Sequence, residues 1–148
     1  MSQSFNAFLA GCNIVAFQKD NNAYGMCCAW AQMVDWDKIT VLLGAQSVTG
    51  QVLQVGDYVG VSALAKGQTA VALQLGEGHS NEVNKFIGIA HHIRQGAITI
   101  DGAKVQMVCQ VISDLPIPEC PNDHFLLLKV LSHQVDTHLS FLSIEDVF

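Results

Sequence analysis

Apolar and polar positions alternate in short runs along most of the chain, the period of two that sends successive side chains to opposite faces of a strand. Cys12–Phe17 (CNIVAF) is the first such run, and it ends in Gln18–Asn22, where a lysine, an aspartate and two asparagines predict a hairpin turn. A second run, Tyr24–Val34, carries small or soft side chains until Asp35–Asp37 break it, and Lys38–Ala45 (KITVLLGA) resumes as another strand. From Ser47 the spacing changes. Val48, Val52, Leu53 and Val55 fall at helical intervals between a serine start and a glycine stop, which predicts a short helix. Tyr58–Leu64 alternates as a strand, and Gln68–Leu75 reads as a helix ending at Gly76. Glu77–Asn84 is polar and predicts a loop. Ala97–Ile100, Lys104–Ser113 and His124–Asp136 are three further strands, with Asp101-Gly102 predicting a hairpin between the first two. Pro116, Pro118 and Pro121 punctuate the loop before the last strand.

Seven or so strands with two short helices and no βαβ alternation predict a mostly β protein, an antiparallel barrel closed or nearly closed. A length of 148 residues suits one domain spanning residues 1–148. Half of the residues are apolar and 14% are charged, so the chain is rich in core-formers and suited to hiding part of its surface in an oligomer. The net charge is −6 with only seven Lys and Arg, which leaves no basic stripe for a phosphate backbone and makes nucleic acid a poor partner. The longest apolar runs, such as Val105–Val108 and Phe125–Leu128, fall far short of the roughly 20 residues that span a bilayer. The first residues show no basic segment followed by a long apolar one, so no secretory signal is read and the cytoplasm is the expected compartment.

Five cysteines, Cys12, Cys27, Cys28, Cys109 and Cys120, have no spacing suited to a disulfide framework or a zinc site, and most read as buried thiols. Cys27 and Cys28 are adjacent and would face opposite ways in a strand, which disfavours a shared metal. His91 and His92, in a segment that reads as loop, would likewise diverge. There is no GxSxG, and Cys109 lies in an apolar strand where a thiolate is disfavoured, so hydrolase chemistry is not expected. The absence of GxGxxG excludes a Rossmann nicotinamide domain.

The most informative stretch is Lys38–Gly56. Gln46, Ser47 and Thr49 place an amide and two hydroxyls where the first N–H groups of a helix are unpaired, an end that favours an anion. Plain N-capping by Ser47 is the competing reading. Met26 and Trp30, four apart, would share a strand face, as core or as contacts to a ring. Lys85, alone in a polar loop, reads as solvated surface or as a ligand cation. His124 follows Asp123 at a strand start and reads as a turn cap or as a site residue.

The order of these features resembles the flavin-reductase family, whose split, Greek-key-like β-barrel binds FMN, and the resemblance covers nearly the whole chain. It rests on NNAYGMCCAW (Asn21–Trp30), ITVLLGAQSVTGQVLQVG, YVGVSALAKGQTAVALQLG, HSNEVNKF, KVQMVC and NDHFLLLKVL, six segments in the family's order. Met26, Cys27 and Cys28 stand where the family has Thr and Ser, and Asp37-Lys38 where it has a proline pair. The resemblance implies that Gln46, Ser47 and Thr49 hold the FMN phosphate, that Lys85 adds charge, and that Gly25, Met26, Cys27, Cys28, Ala29 and Trp30 line the ring. It places His124 near the flavin face where the nicotinamide docks, in a positioning role. It also implies a homodimer in which NAD(P)H is a transient electron donor and hydride passes to the flavin. A non-catalytic flavin or haem carrier or sensor is the alternative function, and a structural barrel without flavin is a third.

Overall fold

The computed structural model describes residues 7–77 and 85–148. Asp20 and Asn21 adopt positive φ, 52° and 67°, in a two-residue turn that folds β1 (Asn13–Lys19) back onto β2 (Asn22–Cys28) as predicted. Such turns need left-handed residues, and Asp and Asn tolerate them. The predicted run Tyr24–Val34 is two strands rather than one. At Ala29 and Trp30 the chain leaves β1, because β1 begins opposite Cys28, and it re-forms as β3 (Ala31–Asp35) against β4 (Lys38–Leu43). Trp30 therefore lies beyond the strand that holds Met26, and the two do not share a strand face.

After α1 (Val48–Val52) and β5 (Tyr58–Ala63), α2 (Thr69–Gly76) ends at the predicted glycine. Helix α1 stops at Val52, three residues before Val55, because Leu53 is already extended. The remaining strands are β6 (His91–Arg94), β7 (Ala97–Ile100), β8 (Val105–Asp114) and β9 (His124–Val135). A 3₁₀ turn, Ile144–Asp146, follows. His91 and His92 thus sit in an edge strand, not a loop. The loop predicted at Glu77–Asn84 lies, from residue 78 on, outside the described residues.

The nine strands form one antiparallel sheet in the order β3-β4-β9-β8-β5-β1-β7-β6, with β2 on the other side of β1. The hairpin predicted at Asp101-Gly102 does not form. β7 turns away to pair with β6 and β1, while β8 pairs with β5 and β9. The tight turn in this region is Gln95-Gly96, both at positive φ, between β6 and β7.

β1 is buried on both faces. Val15 and Phe17 point into a core shared with Val41, Leu43, Val59, Val61 and Leu128, while Ile14 and Ala16 pack with Leu64, Leu75, Ile98 and Ile100 beneath α2. Each such side chain contributes about 1.5–3 kcal/mol on full burial. β5 and β7 cross so closely over β1 that a Cβ at Gly60 would lie 1.8 Å from the backbone oxygen of Ile98. Among the described residues no helix is long and apolar enough to cross a membrane.

Candidate functional site

β2 and β4 are tied together at one end. The Leu42 amide donates to the Trp30 carbonyl at 2.9 Å and the Cys28 thiol donates to the Leu42 carbonyl at 3.5 Å. Beyond that tie the space between Met26 and Cys27 on one side and Gly44 on the other is open. A cavity of about 210 Å³ is lined by Met26, Cys27, Gly44, Gln46, Ser47, Val48, Thr49, Leu75, Gly76 and Lys85. A second, of about 300 Å³, is lined by Met26, Cys27, Cys28, Ala29, Trp30, Leu42, Gly44, Gly76, Ile144 and Phe148. The two share Met26, Cys27, Gly44 and Gly76, so they are halves of one cleft running from α1 to Trp30. A larger groove of about 520 Å³ gathers His92, Arg94, Asp101 and His133 elsewhere, but none of the residues singled out as site candidates in the sequence.

Helix α1 has only five residues, too few to persist without tertiary support. The Lys19 ammonium donates to the Val52 carbonyl at 3.2 Å and pairs with Asp57 at 2.8 Å, which ties the end of α1 to β1. Asp123 accepts from the Ala45 amide at 2.9 Å and fixes the entry to the helix. Ser47 is the N-cap, its Oγ accepting from the Gly50 amide at 3.0 Å, and the same hydroxyl donates to Met26 Sδ at 3.0 Å. The capping reading of Ser47 is therefore realised, and its hydroxyl joins the two halves of the cleft. The amides of Val48 and Thr49 open the helix and have no acceptor within it.

Lys85 is not solvated surface. It is 6% exposed, and its ammonium donates to the carbonyls of Gly25 at 3.1 Å and Leu75 at 3.0 Å. Burial lowers its pKa below the ordinary lysine value. Gln74 holds the segment in place by donating to the carbonyls of Lys85 and Ile87, both at 2.7 Å. Among the described residues Lys85 has no carboxylate partner, and it carries the only formal charge lining the smaller half of the cleft.

The other half is neutral and mostly apolar. Burial pushes the Cys27 thiol up to about 12 and Cys28 to about 11, so both stay protonated and poorly nucleophilic near neutral pH. Cys27 faces the cleft and the outer core, and Cys28 the barrel interior, as adjacent strand residues must. Trp30 is 61% exposed and forms one wall.

Gly25 and His124 line neither half. A Cβ at Gly25 would meet Phe86 Cζ at 2.6 Å, so the glycine admits the Phe86 ring and offers its carbonyl to Lys85. The His124 ring lies beneath α1, where a Cβ at Gly50 would meet its Cδ2 at 2.7 Å. The sequence reading missed Phe148, whose ring packs on Gly76, and took Gly76 only as a helix stop. Nothing in the local pattern marks either. Among the described residues no group of His, Cys, Asp and Glu could hold a metal ion.

The same fold is found in an NADH:FAD oxidoreductase of Streptomyces globisporus, with a TM-score of 0.81 at 20% identity over 90% of this chain and 80% of that one. It recurs in an FMN-binding protein of Thermus thermophilus, solved with 1-cyclohex-2-enone, with a TM-score of 0.78 at 13% identity over 91% and 75%. A flavoredoxin of Methanosarcina acetivorans gives 0.76 at 12% identity over 97% and 91%. The mostly β, split-barrel architecture is thus the fold of this chain. Residues 5–142 match the flavin reductase like domain, and the chain belongs to that family. Among curated proteins no sequence match is found.

Proposed function

We propose that this flavin reductase-like domain is an FMN-binding oxidoreductase that accepts hydride from NAD(P)H. The observation that carries the reading is the division of one cleft into a cationic end beside α1 and an apolar end beside Trp30, the two ends a flavin mononucleotide presents. The Streptomyces and Thermus relatives, named for NADH, FAD and FMN, support the same assignment.

When bound, the flavin supplies the ring that accepts hydride. Lys85, the Val48 and Thr49 amides, and the Gln46 and Thr49 side chains hold the phosphate, while Ser47 keeps Met26 and the helix start in register. Met26, Cys27, Ala29 and Trp30 flank the ring and exclude water. Among the described residues no histidine or carboxylate lines either half, which suits a direct hydride transfer that needs orientation rather than an acid or base. His124 acts at one remove, as a positioning residue under α1. Met33 and Val34 on edge strand β3 and Trp36 in the turn that follows it are exposed, and a second copy of the chain covers them in a homodimer.

The test is a titration of FMN with the purified protein, followed by steady-state oxidation of NADH and NADPH with added flavin. Quenched FMN fluorescence and turnover above the free-flavin background are expected. Failure to perturb FMN at all would sink the assignment, and binding without turnover would mark a carrier.

A further inference from the structure

Like Trp30, Phe148 is a large aromatic residue of the cleft that stays mostly exposed. It lines the apolar half, yet it is 60% exposed, so its ring shows part of its surface to the cavity and most of it to water. It sits flush against the end of α2 only because residue 76 is a glycine: a Cβ there would lie 2.9 Å from Phe148 Cζ and 3.4 Å from Cε1. Its backbone is fixed, its amide donating to the Ile144 carbonyl at 3.0 Å beside the 3₁₀ turn that Ser143 caps. The mobile part is therefore the side chain. Turning it outward gives up its packing on Gly76, which is the cost an incoming ring must meet, while the rotamer change of an exposed side chain itself takes picoseconds to nanoseconds.

We infer, resting on the flavin assignment above, that Phe148 is a gate that sets how readily a nicotinamide enters. Met26, Cys27 and Cys28 of β2 line the apolar half and are buried or half-buried, whereas Phe148 is 60% exposed, so Phe148 lies on the more solvent-accessible part of the lining. A flat ring arriving to stack there meets a flat ring already present, and the two compete for one place. Phe148 must rotate away before the nicotinamide can dock, which makes it a determinant of donor affinity without any role in moving the hydride.

The test uses the full chain as wild type, Phe148→Ala and Phe148→Leu. At saturating FMN the KM for the nicotinamide donor is expected to fall about three- to tenfold in Phe148→Ala and less in Phe148→Leu, the range for removing one competing aromatic contact. Turnover number and FMN dissociation constant should stay within about twofold on the same scale. An unchanged or higher KM, or a tenfold loss of FMN affinity, would overturn the gate, the latter by showing Phe148 to be a fixed wall for the flavin. A second readout needs no flavin: quenching of Trp30 fluorescence by 1-methylnicotinamide in a Trp36→Phe background, where Trp30 is the remaining tryptophan. Half-saturation should fall by a similar factor in Phe148→Ala. If FMN does not bind but this shift occurs, the flavin assignment fails and the gate stands. If the shift is absent, the gate fails.

Discussion

The ammonium of Lys85 donates to the carbonyl oxygen of Gly25 at 3.1 Å, joining residues sixty apart in the chain. Together with its bond to Leu75, this holds a positive charge at the narrow end of the cleft on backbone oxygens alone, without a neutralising carboxylate among the described residues. Replacing Lys85 by methionine keeps most of the volume and removes the charge. FMN affinity should fall about ten- to hundredfold, the loss of a charged hydrogen bond, while riboflavin, which lacks the phosphate, should change by no more than about twofold. Parallel fluorescence titrations check this, and equal losses for both ligands would exclude a phosphate contact.

The same lysine gives a pH dependence. Its folded pKa lies below 10.5 because burial disfavours the ammonium. Between that folded value and 10.5 the unfolded chain keeps a proton that the folded chain has released, so this group makes stability rise with pH across that window. FMN affinity should fall over the same window, as the cation disappears. Stability and FMN binding measured from pH 7 to 10.5 should show both trends in the wild type relative to Lys85→Met, and riboflavin binding should show no such difference.

Two glycines separate a side-chain clash from a backbone clash. At Gly25 a methyl group meets the buried Phe86 ring at 2.6 Å, and Gly25→Ala should destabilise by about 1–3 kcal/mol while displacing the segment that carries Lys85. At Gly60 it meets the Ile98 carbonyl at 1.8 Å, where two strands cross and neither can yield. Gly60→Ala should cost about 3 kcal/mol or more and leave little folded protein. Urea unfolding distinguishes the two, with FMN binding weakened in Gly25→Ala beyond its loss of stability.

Ser47 and Thr49 changed together to alanine should lose the helix cap, about 1 kcal/mol, and weaken FMN more than riboflavin. Comparing the two ligands removes the stability component, because both bind the same folded protein. Equal weakening would assign both hydroxyls to structure alone.

What the sequence made legible follows its local chemistry. The Asp20-Asn21 turn, the Ser47 cap and the glycine end of α2 are written in adjacent residues, and all three are present. The misplaced hairpin at Asp101-Gly102 shows the limit. Those residues do turn, but which strand β7 joins is settled by its closure against β1 and β6. β6 escaped notice because His91–Arg94 is four residues long and largely exposed at an edge, so it carries no alternation of apolar side chains. Lys85 looked like surface for a related reason: its burial comes from Gly25 and Leu75, neither of them near it in sequence. Phe148 needed Gly76, seventy-two positions earlier in the numbering, to be seen at all.

The place of β9 has a bearing on how the chain is born. It is the last of the nine strands in chain order, and it inserts between β4 and β8. Until a ribosome has delivered it, β3 and β4 on one side and β8, β5, β1 and β7 on the other each present an unfilled edge. Nascent chains arrested before residue 124 should therefore be captured by holdase chaperones or clump together, whereas release of Val135 from the exit tunnel should let the two halves zip shut in a single concerted event.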